Sequence, residues 1–215
     1  MKSFVITIMD HPKSVESAER CIKTFKRHHP TDEIEMFNAI TPDYNVFSLA
    51  EYYKIPLENF QEVYSKYDRC VSAFMSHYML WRKCIELDEP IIIFEHDAYV
   101  TNKIPDMSFK GCVNIGKPSY GKFNGPTTLG VGPLMSKRYF PGAHAYIVSP
   151  QGAEAIIKES IFKAGPTDTF LNLRTFPWLE ECYPWPVESR DSFTTIQNKT
   201  GCLAKHNFGE KYEIV

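Results

Sequence analysis

The tetrapeptide Ile91-Ile92-Ile93-Phe94 runs without a break into Glu95-His96-Asp97, and this junction limits the architectures open to the chain. Four consecutive large apolar residues bury both faces of a strand, which is the pattern of a central strand in an α/β sheet. Three titratable groups then arrive at its carboxyl end, where open α/β sheets bind their ligands. Ahead of this strand, Val71, Phe74, Tyr78, Trp81 and Ile85 step by three, four, three and four residues, so a helix starting near Arg69 turns one apolar face to the core.

The same reading extends in both directions. Phe4 to Ile8 predicts a buried strand ended by Asp10-His11-Pro12. A helix follows, with Ser14 as its expected N-cap and Val15, Ala18, Cys21 or Ile22, and Phe25 on one face, until His28-His29-Pro30 stops it. Ile34 to Phe37 is a second strand, and Asn38-Ala39-Ile40-Thr41-Pro42-Asp43 is a turn, so the opening is β-α-β. Residues 44–68 read as short helices broken at Pro56. Further on come a strand at Cys112 to Ile115, a long loop from Gly116 to Tyr139, and a strand at Ala143 to Val148. Ser149 caps the next helix with Pro150 at its first position, and Gly165-Pro166 ends it. Thr167-Asp168 can cap another short helix, and a polar tail contains His206.

Composition narrows the function. The chain has 215 residues, 43% of them apolar, which suits one core and hence a single domain over 1–215. Its 24 basic and 26 acidic side chains leave a net charge of −2, so composition announces neither a nucleic-acid binder nor a charged tail. The six cysteines form no CxxC pair, and free thiols in a reducing compartment are expected. The first apolar run is too short for a signal peptide and no stretch reaches the roughly 20 residues of a membrane span, so a soluble, cytoplasmic protein is expected.

Chemistry concentrates at the strand ends. Alternation points residues i and i+2 the same way, so Glu95 and Asp97 are expected to face one site and His96 the other side. Two oxygen donors beside a phosphate suit Mg²⁺ or Mn²⁺, although an isolated acidic pair at a strand end also serves as a partner for Lys or Arg.

With its flanks this segment gains specificity. Ser76-His77 on the helix, Glu95-His96-Asp97 after the apolar strand, Gly142-Ala143-His144-Ala145-Tyr146-Ile147-Val148-Ser149 with Gly152-Ala153, and Pro166-Thr167-Asp168 occur in one order. In these the chain resembles the nucleotide-sugar glycosyltransferases of family 25, known for lipopolysaccharide biosynthesis and collagen galactosylation. Their Ser-His helix is followed by a strand ending in Glu-Asp-Asp; here His96 replaces the middle acid.

The resemblance implies a GT-A fold, a Rossmann-like mixed central sheet flanked by helices, with residues 1–100 as the nucleotide-sugar-binding half and 101–215 as the acceptor-binding half and tail. It implies a nucleotide-sugar donor, usually UDP-linked, and a divalent metal, Mn²⁺ or Mg²⁺, held by Asp97 and completed by His206, which can equally be an exposed tail residue. Glu95 would orient ribose or metal-bound water. Asp10, Ser14, Arg20, Ala39 and Thr41 occupy the positions expected to hold base and ribose, and Ser76, His77 and His96 belong to the donor site by the same likeness. Taken alone, His77 also fits a satisfied core histidine. Inverting transfer of a hexosyl or pentosyl group needs a base, for which Asp168 is the candidate and Asp191 the reserve; for Asp168 the plain alternative is an N-cap.

The acceptor is either a lipopolysaccharide-type glycan or a hydroxylated pyrimidine in phage DNA, in which case the enzyme would work in the infected host's cytoplasm. DNA would need a cationic face, and the loop at 116–139 with Lys23, Lys26 and Arg27 is the visible source. Two other classes stay open: a metal-dependent hydrolase using His77, His144 and His206, and a non-catalytic nucleotide-sugar binder. No protein partner is indicated.

Overall fold

Strand β1 (Lys2–Thr7) occupies the middle of three parallel strands, with β2 (Ile34–Asn38) on one side and β3 (Ile91–Glu95) on the other. The computed structural model describes residues 1–61, 65–190 and 193–197, and the backbone of 213–214. After β3 in the chain come β4 (Ala98–Val100), β5 (Cys112–Asn114), β6 (Gly130–Pro133), β7 (Ala145–Val148), β8 (Glu180–Tyr183) and β9 (Val187–Ser189). The main sheet has seven strands in the order β2-β1-β3-β7-β5-β8-β6, and β4 pairs with β9 in a separate ribbon. Strand β7 runs antiparallel to both of its neighbours, so the sheet is mixed, as expected.

Alternation along the central strands sends side chains to two separate cores. Phe4, Ile91, Ile93 and Tyr146 point to one face, and Val5, Ile92, Phe94, Ala145 and Ile147 to the other. Helix α1 (Pro12–His28) covers the second face with Ala18, Cys21 and Phe25. The first face is covered by α2 (Val46–Tyr52), α3 (Tyr67–Leu87), α4 (Pro150–Lys163) and the single turn α5 (Thr167–Phe170). The periodicity read from Val71 onward is realised in α3, where Val71, Phe74, Tyr78 and Trp81 are all buried.

Local chemistry fixes the helix ends. Ser149 Oγ accepts from Gly152 N at 3.1 Å with Pro150 at the first position, so this cap is as the sequence indicates. Gly152 must be glycine because α4 abuts β5 here, and a Cβ would overlap the Gly111 carbonyl. The start of α1 differs from expectation. His11 is the N-cap, its Nδ1 accepting from Ser14 N, because Pro12 takes the first helical position; Ser14 Oγ instead accepts from Ile8 N at 2.9 Å and pins the end of β1 to the helix. The expected loop at 116–139 also contains β6, an edge strand too rich in Gly and Pro to show a strand pattern. Among the described residues no helix is long and apolar enough to cross a membrane.

Candidate active site

The carboxyl ends of β1, β2 and β3 open onto one cleft of about 450 Å³. Asp10 and His11 come from the loop after β1, Ala39 to Asp43 from the loop after β2, and Glu95 and His96 from the end of β3. The amino-terminal half of α3 forms the opposite wall through Asp68, Arg69, Ser72, Ala73, Ser76 and His77, and Thr195 and Ile196 complete it. This is the crevice that a parallel α/β arrangement leaves where the strands run out.

Short polar ties hold the walls in register. Ala39 N donates to Thr7 O at 2.8 Å, and Ile40 N donates to Ser76 Oγ at 2.9 Å. Ser76 Oγ in turn donates to Ser72 O, so one buried hydroxyl joins the β2 loop to α3. Arg69 Nη1 donates to Thr195 O at 2.8 Å. The rings of His11 and His96, from neighbouring strand ends, both stack on Phe193 at 5.6 and 5.4 Å between centroids.

The bulkiest buried polar side chain of the wall is His77, 1% exposed like its neighbour Ser76. Its Nδ1 lies 2.8 Å from Tyr146 Oη and its Nε2 lies 3.2 Å from Glu95 Oε1. Burial pushes its pKa down to about 3, against a smaller upward pull from the Asp168 charge. The contact with Glu95 is therefore a hydrogen bond from a neutral ring and not an ion pair. Glu95 itself is 28% exposed, and it faces α3 because Ile91, Ile93 and Glu95 alternate onto that side.

Seven of the expected donor-site residues line the cleft: Asp10, Ala39, Thr41, Ser76, His77, Glu95 and His96. Ser14 and Arg20 are not in its wall. Ser14 is the buried tie described above, and Arg20 Nη2 donates to the Arg190 carbonyl at 2.6 Å. The expectation that Glu95 and Asp97 share a face is corrected. Strand β3 ends at Glu95, residues 96 and 97 form a turn, and alternation does not carry through a turn. Asp97 is not in the cleft wall; its carbonyl accepts from Arg190 N at 2.9 Å, and its charge helps burial raise the thiol pKa of Cys21 on the α1 side. His96, expected to face away, lines the cleft for the same reason.

Asp168 is the second residue of α5, whose N-cap position is Pro166 and not the expected Thr167-Asp168, and it lies outside the cleft wall but near enough for its charge to reach His77. It is held by Tyr120, whose hydroxyl donates to Oδ2 at 2.5 Å, while Oδ1 accepts from Thr169 N at 2.8 Å. Burial, reinforced by the Asp168 charge, raises the Tyr120 pKa, so the phenol keeps its proton. Lys137 Nζ sits 4.8 Å above the Tyr120 ring and 5.3 Å from that of Tyr139. Asp191 and His206 lie outside the described residues.

Sequence reasoning did not single out Tyr146 or Trp81 as site residues. The motif around Tyr146 was the available signal, but a tyrosine in an apolar strand reads equally as core. Among the described residues no three His, Cys, Asp or Glu side chains gather as a protein-only metal cage requires. Asp10, Asp43, Asp68 and Glu95 do give the cleft hard oxygen donors, which suit Mg²⁺ or Mn²⁺ sharing its shell with phosphate oxygens.

A model of glycosyltransferase family 25, described as an LPS biosynthesis protein, matches residues 2–115. No curated protein matches the chain. The matched segment begins at β1 and extends just past β5, and it contains the three strand ends and the α3 wall that build the cleft. With more than half of its length matched, and with a mixed sheet carrying a ligand-sized crevice at its parallel strand ends, the chain belongs to glycosyltransferase family 25.

Proposed function

We propose that this glycosyltransferase moves a hexosyl or pentosyl group from a uridine diphosphate sugar to a hydroxyl of a lipopolysaccharide-type glycan, with inversion at the anomeric carbon. The observation that carries this reading is the cleft where β1, β2 and β3 end, in a chain of family 25. Ile8, Ile40 and Ile196 offer apolar surface to a pyrimidine ring, and the 39–41 turn lies beside them with backbone groups for its polar edge. Glu95, partly exposed at the end of β3, would bind the ribose or the transferred sugar.

The departing nucleoside diphosphate gains negative charge as the bond from its phosphate oxygen to the anomeric carbon breaks. A divalent cation, Mn²⁺ or Mg²⁺, held by the carboxylates of the cleft wall together with His206 would supply Lewis-acid stabilisation of that charge. The new bond forms between the acceptor oxygen and the anomeric carbon, and Asp168 takes the acceptor's proton. Tyr120 orients Asp168 by donating to its Oδ2.

A glycan acceptor is favoured over duplex DNA by the family match, whose description is LPS biosynthesis. Incubating the protein with a panel of nucleotide sugars and Mn²⁺ tests the reading: slow hydrolysis of one UDP-sugar without acceptor supports it, and inertness toward all donors contradicts it. A salt-sensitive shift of DNA mobility would redirect the acceptor assignment to DNA.

A further inference from the structure

We propose that His77 is a positioning residue, a neutral imidazole that donates its Nε2 proton to Glu95 and is locked in that tautomer by Tyr146 and Trp81. The functional part rests on the reading above, in which Glu95 meets the sugar donor.

Trp81 Nε1–H can only donate, and it lies 2.9 Å from Tyr146 Oη, so the tyrosine oxygen accepts there. The hydroxyl has one proton of its own, and His77 Nδ1 is 2.8 Å away to receive it. A nitrogen that accepts carries no hydrogen, so in the neutral ring the proton sits on Nε2, 3.2 Å from the carboxylate oxygen Glu95 Oε1. The chain thus runs in one direction from the core to the cleft: indole, phenol, imidazole, carboxylate.

Packing makes the arrangement rigid. Trp81 and Tyr146 are completely buried, and His77 is 1% exposed. Trp81 and His77 lie one turn apart on α3, and the His77 ring stacks on Tyr146 at 5.7 Å and 23°. Tyr146 is held in the middle of β7, paired with Ile93 of β3, two residues before Glu95. Burial keeps the phenol protonated and the imidazole uncharged, consistent with the proton count. Both ring nitrogens of His77 are engaged within the protein, so its effect on a ligand passes through Glu95. Such outer partners typically change ligand or metal affinity by roughly 10- to 100-fold.

Two measurements on the full chain test this. In protein carrying ¹⁵N-histidine, two-bond proton–nitrogen spectra should show His77 as the Nε2–H tautomer without titration between about pH 5 and 8, and Tyr146→Phe should change that pattern. An Nδ1–H tautomer or an imidazolium in the wild type would overturn the proposal. Calorimetric titration with UDP and Mn²⁺ should then separate two variants whose folding is checked by urea unfolding. His77→Gln keeps an amide that accepts from Tyr146 and donates to Glu95, and it should bind within about threefold of wild type, whereas His77→Leu should lose roughly 10- to 100-fold. Equal binding by the leucine variant, or equal loss in both, would contradict a positioning role. Absence of heat with the wild type would sink the donor reading instead, and the tautomer spectra would still decide the hydrogen-bond chain.

Discussion

His77 Nε2 and Glu95 Oε1 meet at 3.2 Å across the seam between α3 and the end of β3, joining a fully buried helix position to the partly exposed rim of the cleft. The contact has a consequence for stability. His77 titrates near its ordinary value in the unfolded chain and at about 3 when folded, so between these values the unfolded state binds the extra proton. The stability due to the neutral ring is present above about pH 6.5 and falls as pH drops toward 3, by up to about 1.4 kcal/mol per pH unit. Urea unfolding at a series of pH values should show this slope, and His77→Gln should flatten it between about pH 6.5 and 5.

Removal of the base should separate chemistry from binding. Asp168→Asn is expected to lower transfer by roughly a hundred- to ten-thousand-fold while UDP affinity stays within a few-fold, because Asp168 lies outside the cleft wall. Tyr120→Phe removes the 2.5 Å donation that orients Asp168, so it should lower transfer while UDP affinity stays within a few-fold. Steady-state rates and UDP affinities of the two variants check both statements.

Ser76→Ala should affect the nucleotide end of the cleft. The hydroxyl accepts from Ile40 N, and its loss leaves a part-buried amide without that partner at the edge of the 39–41 turn. A destabilisation of about 1 to 3 kcal/mol is expected, with weaker UDP binding because Ala39 to Thr41 lose their anchor to α3. Urea unfolding and calorimetry measure the two effects.

Gly152→Ala tests the packing of α4 on β5. A Cβ at this position would overlap the Gly111 carbonyl, so the variant should lose about 2 to 3 kcal/mol of stability. Activity per folded molecule should be unchanged, since neither glycine lies in the cleft wall.

Much of the architecture was legible because its signals are local. The Ile91–Phe94 run, the spacing from Val71 to Trp81, and the Ser149-Pro150 cap each act within a few residues, and each has its structural counterpart. Strand β8 was not legible: Glu180 and Glu181 are buried there, and their carboxylates accept from the backbone amides of Lys110, Met135 and Ser136, which a sequence pattern cannot reveal. The site shows the same division. Residues directly after the strands, such as Asp10, Thr41 and Glu95, follow from topology alone. Arg20 and Asp97 depended on which way one side chain turns, and the Tyr146–His77 bond joins positions 69 residues apart.

Sugar transfer as proposed requires nucleotide binding in the cleft between α3 and the ends of β1, β2 and β3. Ala73 lines this cleft from α3, and Ala73→Phe would fill it without removing a hydrogen-bonding group. Calorimetric titration of UDP with Mn²⁺ should give saturable heat with about one site per wild-type chain, and the Ala73→Phe variant should give none while unfolding at the same urea concentration. No heat with the wild type, or undiminished heat in the filled variant, would contradict the central claim.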